Sequence, residues 1–119
     1  MPDAYSPVNI EREILASVND IGKSISVRGD AYEAYEMALL AYEKAFDIAY
    51  NEAGGAQLGR KHVAAVAVAE LKEAMVIAKI AHRRAEMWGK ALEMRLGGMQ
   101  SVGRSVNGAY GAAGRGEGA

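Results

Sequence analysis

Asn51-Glu52-Ala53-Gly54-Gly55-Ala56-Gln57-Leu58-Gly59 is the stretch whose reading decides the fold. Three glycines within six residues end a helix and turn the chain, because each costs roughly 1 kcal/mol relative to Ala in a helix interior. Upstream, Asp30-Ala31-Tyr32-Glu33 reads as an N-cap with a carboxylate at the third helical position, opening a helix that runs to about Glu52. That helix carries two stripes. Ala31, Ala34, Ala38, Ala41, Ala45 and Ala49 form a seam of small residues, beside a bulkier one of Tyr35, Leu39, Tyr42, Phe46 and Tyr50. Aromatic core packing explains the tyrosines more simply than a base-stacking platform does.

Downstream of the turn a long helix is expected from Arg60 to Leu96, about 55 Å at 1.5 Å per residue. Its apolar seam reads Val63, Ala67, Leu71, Ala74, Ala78, Ala81, Ala85, Trp88, Leu92 and Leu96, with steps of four and three alternating through most of it, as in a coiled coil. Further out, Met1 to Val8 reads as an extended leader. Asn9 to Val27 reads as a first helix with Ile10, Ile14, Val18, Ile21 and Ile25 on one face, closed by Gly29. The expected fold class is therefore all-α. It is an antiparallel helical hairpin with a long C-terminal helix plus an N-terminal helix, assembling as an oligomer because the longer helix outruns its partner. Residues 1–96 form one helical domain. Residues 97–119, with eight glycines in 23 positions, read as a glycine-rich flexible tail.

Composition narrows the function. The chain has 119 residues, room for one domain, and no cysteine, which removes disulfides and thiolate metal sites and points to a cytoplasmic setting. No apolar run approaches a membrane span, and the start lacks a basic-then-apolar secretory pattern, so no membrane partner is expected. Residues 1–59 hold ten acids against four bases, and residues 60–119 ten bases against five acids. The opposed halves suit contacts between complementary surfaces, or an anionic partner for the second half.

Catalytic chemistry has little to stand on. His62 and His82 lie about 30 Å apart along one helix and cannot share a metal within a chain. Gly54-Gly55 and Gly59-Arg60-Lys61 lack both the spacing and the Lys-Ser/Thr of a phosphate-binding loop. Glu33 and Glu36 fit a solvated helix face. The chain is expected to be no enzyme, with no cofactor and no metal. The most informative cluster is Lys79, Arg83, Arg84, Trp88, Lys90, Arg95 and Arg104, where six bases meet two acids between residues 79 and 104. Arg84, Trp88 and Arg95 share one helical line by steps of four and seven. Cations that track phosphates, beside an aromatic that offers a stacking surface, suit a single nucleic-acid strand. The competing reading makes Trp88 a core anchor and the bases its solvated flank.

Ala31-Tyr32-Glu33-Ala34-Tyr35-Glu36, Ala81-His82-Arg83-Arg84-Ala85-Glu86-Met87-Trp88 and Met99-Gln100-Ser101-Val102-Gly103-Arg104-Ser105 carry a resemblance. Residues 30–105 resemble a recurrent type of small bacteriophage helical-hairpin protein, similar to UvsY-type recombination mediators. The resemblance implies a homo-oligomer that binds single-stranded DNA and helps load a recombinase, in the cytoplasm of a bacterial host. The main rival is a structural or adaptor helical protein of a virion or other large assembly. A small helical inhibitor of a host enzyme is compatible with the composition as well.

Overall fold

A computed structural model describes residues 6–117 of the chain. It is all-α: α1 spans Pro7–Glu52, α2 Gln57–Ala67 and α3 Ala69–Glu117, with no strand among the described residues. The turn falls where the glycines require it. Ala53 to Ala56 join α1 to α2, and Gly55 takes φ +93°, a left-handed conformation that glycine adopts without a Cβ clash.

Three boundaries differ from the sequence reading. The first helix does not close at Gly29, and α1 runs unbroken from Pro7 through Asp30. Gly29 is exposed with open space around it, and buried or half-buried positions continue past it at Ser24, Arg28, Ala31 and Tyr35. A single glycine and a good capping residue each shift stability by only about 1 kcal/mol, too little to end a helix whose packed face persists. The segment after Leu96 is also helix, to Glu117, rather than a tail outside the helical part. Its inward positions, Leu96, Met99, Gly103 and Val106, keep the coiled-coil spacing, and the intervening glycines face outward. The expected leader is helical from Pro7 on, and its first five residues lie outside the described part.

The expected single helix from Arg60 is two. Val68, buried, separates α2 from α3 with φ −109° and ψ 16°. The hydrogen-bond ladder still passes through it, since Val68 N donates to Ala64 O at 3.1 Å and Lys72 N to Val68 O at 2.9 Å. The inward positions Arg60, Ala64 and Val68 are separated by two steps of four in succession. Such a step shifts the seam around the helix, and a local irregularity restores its phase.

The chain packs as two units. In the first, α1 up to Ser26 lies antiparallel to α3 from Met87 onward. Ile10, Ile14, Ser17, Ile21 and Ser24 face inward from α1, and Gly89, Leu92, Leu96, Met99 and Gly103 from α3. Val18 and Ile25 are exposed instead, because the serines took the inward positions expected for them. Small residues allow close approach: a Cβ at Gly103 would lie 3.2 Å from Ile10 Cγ2. Ser24 Oγ donates to Ile21 O at 2.7 Å, while Ser17 Oγ is buried without a partner among the described residues. Arg95 and Glu13 pair across the helices at 2.8 Å.

The second unit is Val27–Glu86, which contains the turn. Its helices run antiparallel, with Arg28 paired to Glu86, Tyr35 to His82 and Tyr50 to Arg60. The inward row of α1 draws on both expected stripes, as Ala31, Tyr35, Ala38, Tyr42, Ala45 and Ala49. Ala34 and Ala41 point away. From the other side come Ala64, Val68, Met75, Ala78, His82 and Ala85, so Val63, Ala67, Ala74 and Ala81 of the expected seam are exposed. Tyr35 stacks on His82 at 5.9 Å and Tyr32 meets its edge at 5.4 Å, which seats the half-buried imidazole between the two tyrosines as a flat filler.

Candidate nucleic-acid interface

The seven residues of the basic cluster all lie on α3, three in the second unit and four in the first. In the second unit Lys79 is half-buried beside the inward row, while Arg83 and Arg84 are exposed. None of these three has an ionic or hydrogen-bonded partner among the described residues. They follow Ala78 and His82 by one or two residues, so the packed seam holds them at the helix surface and rotates Arg84 farthest outward.

In the first unit Trp88 is 42% exposed. The inward row runs through Ala85, Gly89 and Leu92, with Gly89 in the place expected for Trp88, so Trp88 flanks that row and does not anchor it. Lys90 and Arg104 stand at the same helical register, 14 residues and about 21 Å apart, both exposed. Arg104 donates to Ser101 Oγ at 3.3 Å, and Lys90 has no partner among the described residues. Arg95 shares the register of Trp88 but is engaged by Glu13. That pair is about half exposed, and such pairs contribute roughly 0–1 kcal/mol, so a phosphate could displace the carboxylate at modest cost.

The sequence reading placed Arg84, Trp88 and Arg95 on one line. The structure keeps Trp88 and Arg95 together in the first unit, while Arg84 belongs to the second. It also supplies polar contacts that the sequence did not disclose. The Arg28 guanidinium donates to both carboxylate oxygens of Glu86, at 3.3 and 2.9 Å. Tyr42, Phe46 and Tyr50 form a ladder with centroids 6.3 and 6.4 Å apart, and Arg60 covers Tyr50 at 5.7 Å. A sequence signal for the ladder existed in the four-residue spacing of its rings; Arg28 showed none, because an arginine at an inward position has no periodic signature. Among the described residues no group of three His, Cys, Asp or Glu could hold a metal, and no helix is long and apolar enough to cross a membrane.

No family model, curated protein or solved structure matches the chain. The fold and the cluster therefore define its class on their own terms: an all-α protein of paired antiparallel helices, with an acidic first arm of the pair and a basic second one.

Proposed function

We propose that the chain is a non-enzymatic, self-assembling helical protein that binds single-stranded DNA along α3, in the manner of a recombination mediator that hands its strand to a recombinase. The observation that carries this reading is the placement of Trp88. An indole left 42% exposed outside the packed row, with an exposed Lys90 two residues on that has no partner among the described residues, is available to a base, whereas a core anchor is not. Arg83, Arg84, Lys79 and Arg104 extend the basic surface of each unit, and Arg95 joins them by exchanging Glu13 for a phosphate. Several weak strips held on one assembly act at raised effective concentration.

Fluorescence anisotropy with a labelled single-stranded oligonucleotide tests it. Binding should be indifferent to sequence and weaken steeply with added salt. Arg83→Glu combined with Lys90→Glu should abolish it while leaving helicity unchanged. Trp88→Ala should weaken binding by about 1–3 kcal/mol with little effect on melting. Absence of binding at low salt, or wild-type affinity in the double variant, refutes the reading. The second reading, a structural or adaptor protein of a larger assembly, is favoured by the apolar residues exposed on the outer faces of the second unit.

A further inference from the structure

Within the second unit, the outer side of α1 presents Glu33, Met37, Leu40 and Lys44 in one line, all exposed. The outer side of α3 presents Glu73, Ile77, Ile80 and Arg84 in one line, all exposed. The two stripes share one pattern: an acid, an apolar residue four on, another three further, and a base four beyond that. Met37 and Ile77 are each 60% exposed, so packing within their own chain leaves most of their apolar surface in water, where covering it would be favourable. Charge differs between the sides. Val27 to Glu52 carries six acids against two bases, and Gln57 to Glu86 six bases against three acids.

The geometry points to a second copy of this chain as the occupant of these stripes, with the α1 stripe of one copy lying antiparallel on the α3 stripe of the next. In that pairing Met37 meets the neighbour's Ile80 and Leu40 its Ile77. At the two ends Glu33 meets Arg84 and Lys44 meets Glu73, so both apolar pairs are bracketed by opposite charges. The register agrees with the chain's own packing. Tyr35 stacks on His82, and Met37 with Ile80 lies two residues on along α1 and two back along α3, so neighbouring copies sit level. Each stripe could also pair antiparallel with its own kind. The acidic balance of one side and the basic balance of the other favour the mixed contact. It joins different surfaces of the two copies, so a dimer leaves one stripe of each kind uncovered and further copies can add. Arg84 is then used by the neighbour's Glu33, which leaves Arg83 as the phosphate contact of this turn. The inference deepens the self-assembly part of the proposed function and does not depend on DNA binding.

Sedimentation of the full chain at tens of micromolar tests it. One variant carries Met37→Asp and Leu40→Asp, the other Ile77→Asp and Ile80→Asp. The wild type should sediment as a multimer, and each variant alone as a 12.6 kDa monomer of unchanged helicity. An equimolar mixture of the two should give a species of twice that mass and nothing larger, since only one intact contact can form. A monomeric wild type, a variant that keeps the wild-type mass alone, or a mixture that stays monomeric overturns the inference. Lys44→Glu and Glu73→Lys provide a milder check: each alone should weaken assembly by about 5-fold or less and the pair together should restore it. No restoration in the pair counts against the antiparallel register. Neither residue belongs to the basic cluster, so a wild type that assembles and yet binds no oligonucleotide speaks against the DNA reading alone.

Discussion

Gly103 offers the sharpest test of how the first unit is packed. Replacing an exposed glycine in a helix interior with alanine gains roughly 0.8–1 kcal/mol. Gly97 and Gly98 lie in open space, so Gly98→Ala should realise most of that gain. At Gly103 the new Cβ would stand 3.2 Å from Ile10 Cγ2 and 3.8 Å from Ile14 Cδ1. The first distance is a few tenths of an ångström too short, and Ile10 is only 2% exposed, with little room to retreat. Gly103→Ala should therefore surrender most of the propensity gain and fall about 1 kcal/mol below Gly98→Ala. Gly103→Leu adds bulk that the site cannot hold. Overpacking of that kind costs about 1–3 kcal/mol, against a propensity gain of about 1 kcal/mol. Urea unfolding followed by circular dichroism at 222 nm gives the differences. Amide exchange over Leu92 to Val106 shows whether the loss is local to the first unit. If Gly103→Leu is as stable as Gly98→Ala, then Ile10 does not pack against α3 at this level and the helical extension past Leu96 is unsupported.

Two further expectations follow from the same packing. Ala38→Leu places three extra carbons in the inward row between Tyr35 and Tyr42 and should cost about 1–3 kcal/mol, whereas Ala41→Leu, on an exposed position, should be close to neutral; equal melting temperatures for the two would mean that the phase of α1 is misassigned. Arg28→Ala should cost more than Arg95→Ala in a chemical melt, about 1 kcal/mol against less than 0.5 kcal/mol, because the Arg28 pair with Glu86 is two-pronged and more shielded than the Arg95 pair with Glu13; the reverse order would refute the relative burial of the two bridges.

The amino-acid sequence alone determined that the chain is helical, and where it turns. Alanine, glutamate, lysine and leucine dominate the middle of the chain, Gly54, Gly55 and Gly59 cluster at one break, and among the described residues Gly55 is the glycine that takes positive φ. Both are local matters of backbone preference, decided within a few residues. The division into an acidic and a basic half was legible for the same reason, since charge is a property of composition. What the sequence could not settle was the phase of the packed faces. Several apolar rows run along each helix, and hydrophobicity favoured Val18, Ile25, Val63 and Trp88. The inward positions went to Ser17, Ser24, Ala64 and Gly89. Antiparallel helices of small residues approach closely, and close approach rewards small side chains at the contact while it pushes larger ones to the flanks. Only the partner helix reveals that preference. It also decided which helix ends are real. Gly29 and Gly97-Gly98 resemble stops when read locally, and they are spanned because the packed row on either side continues past them.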